Sequence, residues 1–460
     1  MVLRVNASLP AVVNQGQYYV TPFVAVLAPF TIVAYLLFQV AKSLIGRVGM
    51  SSPEKLYQDG CEDFQNGLND EAIRKFTLAL ECNPDQSLLA FILVDRAAIY
   101  IIDLQYDNAI EDLTTALGCN PDQDMKASIL ADRAFAYLAG EKYQKAQEDY
   151  DLALQCDPIE DALLAGILLA RGIFYGEVGE HERAIDDFNR AHDTCIDPYE
   201  QASIRHRRGC SYVALKRYEE AILDFTEAAI ACPNDQEAVL ILEDRAKAQI
   251  MMGWLEEAMK DYQLILKYDL DQQQQLHFQM SFFFCEGAVH IKNRDYAKAI
   301  ESYTKLLQYD SHSLEARAQI LYLRSHAYGR LKKFDLCEID ISEAIKCGSD
   351  KVQLFGARAV ARVGLKKYPE AISDITTAMD TTDEEWKAEL LYIRGVAHRE
   401  NNNLSMARQD WEAALRCTFK KEVLRENIEA ALNSKTDQPA DIIDTIWGSV
   451  VFELSDSLQK

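Results

Sequence analysis

Ten times along the chain a small residue is followed four positions later by a bulky one and seven positions later by another small or aliphatic one. The small residues are Ala72, Ala109, Ala146, Ala184, Ala221, Ala258, Ala299, Cys337, Ala371 and Ala407. The bulky ones are Phe76, Leu113, Tyr150, Phe188, Phe225, Tyr262, Tyr303, Ile341, Ile375 and Trp411. Successive sets lie 34 to 41 residues apart, most often 37. A period of this size restricts the chain to a solenoid, because a unit so short buries its apolar face only against its neighbours. Offsets of four and seven fall on one stripe of a helix. Twelve residues before each small residue stands another: Gly60, Ala97, Ala134, Gly172, Gly209, Ala246, Gly287, Ser325, Ala359 and Gly395. The spacing predicts two helices per unit, whose axes approach where small residues meet, with the bulky residue filling the space beside the crossing. Tyr106, Tyr143 and Tyr218 mark the short turn inside a unit, and Asn-Pro-Asp-Gln at 83–86 and 120–123 ends the second helix, since proline cannot continue one.

A charge pattern runs in step with this one. Arginine precedes the small residue of the first helix in eight units, and an aspartate follows it sixteen positions later: Arg96/Asp112, Arg133/Asp149, Arg171/Asp187, Arg208/Asp224, Arg245/Asp261, Arg324/Asp340, Arg358/Asp374 and Arg394/Asp410. The first unit has Asp59 and Lys75 there, with the signs exchanged, and the seventh has Glu286 and Ser302, losing both partners together. Exchange and joint loss are what contacting residues show, so an ion pair between helices is expected in each of the eight.

The pattern resembles the tetratricopeptide repeat family over residues 53–417, which implies an all-α solenoid of about ten helix pairs. In that family the first helices line a concave face. The resemblance therefore places Phe91, Val94, Ala98, Phe135, Leu138, Leu169 and Ile173 on a groove suited to an amphipathic helix. Phe284, Tyr322 and Tyr392 take similar positions further on, among His206, Glu243, Lys247 and His326. One subset of the family grips the C-terminal carboxylates of Hsp70 and Hsp90 with a lysine, asparagine and arginine clamp. Here Tyr57 and Cys61 stand near Gly60, and Asp95 and Asp132 in the next units would repel a carboxylate. Those chaperone tails are not expected partners.

The first fifty residues are of another material. No charge occurs between Arg4 and Lys42, and the first acid is Glu54. Residues 19–41 are almost continuously apolar, long enough to span a hydrocarbon core as a helix. A transmembrane anchor at 19–41 is expected, with a short segment 1–18 before it and a short linker 42–52 after. A signal peptide would have its basic region directly before a shorter apolar run, and a transit peptide would be amphipathic and arginine-rich. Lys42, Arg47 and Lys55 follow the apolar run, against Arg4 alone before it, which puts the solenoid in the cytosol. Ser52-Pro53 reads as a capped helix start. Residues 418–460 are expected to cap the array: an amphipathic helix from Glu422 to Leu432, then, past Pro439, an apolar-acidic segment from Ile442 to Leu458. That last segment could also dock on a partner or fold back into the groove.

With 72 acidic against 48 basic residues the net charge is −24, which disfavours nucleic acid as a partner and suits basic or amphipathic polypeptide segments. Seven of eleven cysteines, Cys82, Cys119, Cys156, Cys195, Cys232, Cys347 and Cys417, recur near the end of second helices. They are expected to act as small buried hydrophobes, too far apart for disulfides. No His-x-x-x-His, Cys-x-x-Cys or glycine-rich phosphate loop occurs, so no catalytic residue, metal or cofactor is expected. The layout, an N-terminal anchor before a cytosolic array, resembles the import receptors of the mitochondrial outer membrane and implies a membrane-anchored scaffold for polypeptides in organelle protein import. A structural subunit of a membrane complex and a lumenal chaperone of the same family are the alternatives.

Overall fold

The computed structural model describes residues 52–156, 160–232, 234–309, 313–347, 352–379, 384–417 and 422–433. The expected anchor at 19–41, its flanks at 1–18 and 42–51, and the C-terminal segment from Ile442 lie outside them. Among the described residues there are 21 helices and no strand, and no helix is long and apolar enough to cross a membrane. The chain divides into two units, Met1–Leu215 and Lys216–Lys460.

In the first unit α1 (Pro53–Gln65) pairs with α2 (Asn69–Glu81), α3 (Gln86–Ile102) with α4 (Tyr106–Leu117), α5 (Gln123–Ala139) with α6 (Tyr143–Ala153), and α7 (Asp161–Glu177) with α8 (His181–Thr194), and α9 (Pro198–Ala214) follows. The second unit opens with α10 (Tyr218–Ala231). Its pairs are α11 (Asp235–Met251) with α12 (Leu255–Ile265), α13 (Gln272–Lys292) with α14 (Tyr296–Leu306), α15 (Leu314–Arg330) with α16 (Phe334–Lys346), α17 (Val352–Gly364) with α18 (Tyr368–Met379), and α19 (Glu384–Glu400) with α20 (Leu404–Leu415). Helix α21 (Glu422–Asn433) covers the last pair, burying Leu424 and Ile428 in its core.

The crossing inside a pair is as tight as the small residues imply. A Cβ placed on Gly172 would lie 2.6 Å from the Phe188 ring, one on Gly287 2.5 Å from Tyr303, and one on Gly60 2.7 Å from Phe76. At Gly395 it would meet the Trp411 indole, whose N–H donates to the Tyr392 carbonyl at 3.2 Å. Helix starts are fixed by side-chain caps. Ser52, Asp85, Asp122 and Ser313 each accept a hydrogen bond from a backbone N–H three residues on, satisfying an otherwise unpaired donor of the first turn. The aspartate of each Asn-Pro-Asp-Gln stretch therefore begins the next helix as well as following the end of the last.

The expected ion pairs form in seven repeats, each as a two-pronged fork. Arg96 donates through Nε and Nη2 to both oxygens of Asp112 at 2.7 Å. Arg133/Asp149, Arg171/Asp187, Arg245/Asp261, Arg324/Asp340, Arg358/Asp374 and Arg394/Asp410 repeat this geometry at 2.6 to 2.9 Å. Arg208 and Asp224 belong to different units. The remaining guanidinium nitrogen reaches back to the second helix of the preceding repeat: Arg96 to Thr77, Arg133 to Thr114, Arg171 to Asp151, Arg208 to Asn189, Arg245 to Thr226 and Arg324 to Thr304, at 2.7 to 3.1 Å. One arginine thus ties three helices.

Three expectations are corrected. Lys75 pairs with Asp63 at 2.6 Å and meets Asp59 only at its backbone carbonyl, because the lysine stem reaches one turn further along the helix. Glu286 and Ser302 do not lose their contact: the Ser302 hydroxyl donates to Glu286 at 2.7 Å. Of the seven second-helix cysteines only Cys156 and Cys195 are buried, and Cys82 is exposed, since a helix end is covered less fully than its middle. Among the described residues no cysteine is in a disulfide.

Asp149 is nearly buried, with its side chain 6% exposed, so Asp149→Ala leaves Arg133 without its charged partner and should cost about 2–4 kcal/mol in urea unfolding. Lys142→Ala, which removes a pair with an 89% exposed Asp107, should change stability by less than about 0.5 kcal/mol. Equal losses would show that the fork is no stronger than a surface pair. Glycine replacement separates contact from propensity: Gly172→Ala should destabilise by about 1–3 kcal/mol through overpacking. Gly166→Ala in the same helix, where a Cβ meets nothing within 4 Å, should stabilise by about 0.5–1 kcal/mol.

Candidate functional site

First helices also touch first helices of the next repeat, α1 with α3, α3 with α5, α5 with α7 and α7 with α9. They make one wall in the first unit, and all seven residues singled out from the sequence lie on it. Three of them serve to close it. Val94, Phe135 and Leu169 are 5, 4 and 7% exposed, the first two in one cluster across α3 and α5 and the third in the cluster beyond. They pack inside these clusters and present almost no surface to a partner. Phe91, Ala98, Leu138 and Ile173 keep partial exposure. Phe91 and Ile173 each rest on two clusters, so their inner edges are held while their outer edges stay open.

Two carboxylates interrupt this apolar wall. Asp95 on α3 accepts a hydrogen bond from the Tyr57 hydroxyl at 2.7 Å and from the Cys61 thiol at 3.7 Å, both on α1. Burial pushes Asp95 up to about 6, against the pull of those two donors. Asp132, the matching residue on α5, is pushed up to about 7 by burial and then by the Asp95 charge. Burial and the Asp95 charge also raise the Tyr57 phenol and the Cys61 thiol, so both remain donors at neutral pH. The sequence gives little sign of the Tyr57–Asp95 bond, since the two are 38 residues apart on different repeats.

In the second unit another first-helix acid, one position out of that register, is handled differently. Glu243 on α11 faces Lys247 at 2.8 Å and His277 at 3.3 Å. Burial works to raise it, but the His277 and Lys247 contacts win and bring it down to about 2. Tyr392 is buried and Phe284 and Tyr322 are half-buried, so these aromatics also pack inward. Burial pushes His326 down to about 4, leaving a neutral imidazole at physiological pH.

A carboxyl whose folded value is raised contributes stability that is complete below its unfolded value of about 3.9 and is lost as pH rises through the folded value. For Asp95 and Asp132 the loss spans about pH 4 to 8. Asp132→Asn should therefore raise the urea midpoint at pH 8 and flatten its decline from pH 5. A variant that tracks the wild type at both pH values would mean that Asp132 is well solvated.

A family model described as tetratricopeptide repeat matches residues 202–235. RNA polymerase II-associated protein 3 of Rattus norvegicus is 29% identical over 103 residues, which is 22% of this chain and 15% of that protein. The match thus takes in well under two thirds of that relative. Among solved structures, the apo form of RapI is 14% identical with a TM-score of 0.47, over 74% of this chain and 98% of that one. A tetratricopeptide repeat protein from Parabacteroides merdae is 18% identical with a TM-score of 0.41, over 58% of this chain and 99% of that one.

Proposed function

We propose, from the premise that the chain is a tetratricopeptide-repeat protein, that it is a non-enzymatic scaffold receiving an amphipathic polypeptide segment on its first-helix wall. The fold is one that serves protein–protein interaction. The observation that carries the finer reading is the division of labour on the wall. Val94, Phe135 and Leu169 close it, which frees the outer edges of Phe91, Ala98, Leu138 and Ile173 to meet a ligand without unpacking the repeats. A segment with an apolar stripe covers such a row as a helix in a groove. The acidic balance, −24 overall, favours partners with a basic opposite face.

The charge-free stretch 19–41 supports an anchor that would hold the array at a membrane, with the basic flank at Lys42 and Arg47 favouring a cytosolic array. A receptor role in organelle protein import, at the mitochondrial outer membrane first, follows from that layout. A permanent subunit of a membrane complex is the second reading, favoured by Leu223, Ile230 and Ile339, which are 63, 81 and 59% exposed on the second helices of the second unit. Carbonate extraction tests the anchor. Protease treatment of intact organelles separates a cytosolic receptor, which is digested, from a lumenal chaperone, which is protected.

The wall itself is tested by photocrosslinking from Ala98 and Leu138 in the full chain, with Leu223 as the outward control. Adducts to polypeptide should form from the wall positions above the control level. Ile173→Glu should suppress them with stability changed by less than about 1 kcal/mol, whereas Phe135→Glu, which buries a charge, should cost about 3 kcal/mol or more. Adducts equal at wall and control, or unaffected by Ile173→Glu, would remove the groove from the account.

A further inference from the structure

We propose that Asp95 and Asp132 together accept one lysine or arginine side chain from the amphipathic segment that lies on the first-helix wall. This deepens the groove reading and rests on it. Both carboxylates stand two positions before the small residue of their first helix, Ala97 and Ala134, on helices α3 and α5, which touch. Each is half-buried. Neither meets a lysine, arginine or histidine among the described residues, and Asp132 accepts no hydrogen bond there. The contrast lies within the same array. Asp112, Asp149 and Asp187, deeper in the pairs, each hold an arginine fork, and Glu243 on the second unit's wall holds Lys247 and His277. Asp95 and Asp132 keep the acid and lack the cation.

A second observation points to the same place. The Tyr150 side chain is wholly buried, its hydroxyl has no hydrogen-bond partner, and the one charge that acts on it is Asp132. A buried hydroxyl without a partner costs about 1–3 kcal/mol, and the acid whose charge reaches this one is Asp132. An ammonium or guanidinium donating to Asp132 gives that carboxylate the cation it lacks. Phe91 and Ala98, one turn to either side of Asp95, supply the apolar contact that the methylene stem of lysine or arginine buries while its charge stays at the tip. Besides Tyr150, the titratable groups facing the pair are Tyr57 and Cys61, both donors to Asp95, so no positive group among the described residues occupies the site.

The test uses the full chain and a fluorescent amphipathic peptide of leucine, alanine and glutamine with a single lysine on its stripe, compared with the same peptide carrying norleucine there. The lysine peptide should bind at least about tenfold more tightly than the norleucine peptide at pH 8. The doubly substituted chain, Asp95→Asn with Asp132→Asn, should erase that difference while its helicity is kept and its stability at pH 8 is not lowered. The lysine advantage should also shrink as pH falls towards 5 and the carboxylates take up protons. Equal binding of both peptides to the wild type, or an advantage that survives the double substitution, overturns the proposal and leaves the groove reading standing. Failure of both peptides to bind overturns the two together.

Discussion

Where the two helices of a pair cross, the first helix has no side chain to spare. Gly60, Gly172, Gly287 and Gly395 sit so close to Phe76, Phe188, Tyr303 and Trp411 that even a methyl group would overlap the facing ring. Other repeats reach the same end with Ala97 against Leu113 or Ala134 against Tyr150, all fully buried. This approach sets the spacing of the backbones, and the later contacts depend on that spacing. A wider crossing would carry the arginine of the first helix out of reach of the aspartate on the second, since both ends of the fork close at 2.6 to 2.9 Å.

The fork then does what apolar packing alone leaves open. Burial is non-directional, so a stack of similar stripes could slip by a turn with little loss. A guanidinium held by both oxygens of one aspartate and by a hydroxyl or amide of the preceding repeat has one satisfactory register. Its aspartates are nearly buried, at 4 to 8% side-chain exposure, and its arginines at 15 to 19%. In that setting losing one partner is costly. Where the arginine is absent, at Glu286, the carboxylate accepts a hydrogen bond from the Ser302 hydroxyl instead and the register is kept without a buried ion pair.

Period and residue size made the helix pairs, the tight crossings and the aspartate partners of seven arginines legible in the sequence. The third partner was written there too, as Thr77, Thr114, Asp151, Asn189, Thr226 and Thr304, each directly after the bulky residue, with Gln263 before the seventh repeat, where Glu286 replaces the arginine. It goes unseen because threonine in a helix is ordinary until its neighbour is known. The turn inside each pair was less legible for a different reason. Ten residues there adopt the left-handed conformation, among them Gly67, Gly179, Gly253 and Asn402, which bear it easily. Leu104, Glu141, Lys216, Arg294, Lys332 and Lys366 adopt it as well, with φ between 56 and 61°. The backbone closes a helix end there, as where the Gln105 N–H reaches the Tyr100 carbonyl at 2.7 Å. That bond and the packing of both helices outweigh a strain of about 1–2 kcal/mol, so residue type carries no signal. The first-helix wall was half legible: helical position told which residues lie on it, but Phe91 and Phe135 look alike in sequence, and only the neighbouring helix decides which is covered.

A wall built from repeated units has a problem that a single cleft does not. The contacts that hold one first helix against the next use the very side chains a ligand would want, so a receptive surface must come from residues that serve packing with one edge only. Phe91 and Ile173 do this by resting on two clusters at once. Specificity then has to come from departures from the repeat, since a perfectly periodic wall offers the same contact in every register. Asp95 and Asp132 are such a departure: the burial that raises their protonation is a standing cost to the free protein at neutral pH, and at that pH the proposed incoming cation would offset it. A cost of that kind, placed on two adjacent repeats, distinguishes one register of a bound segment from those a turn to either side.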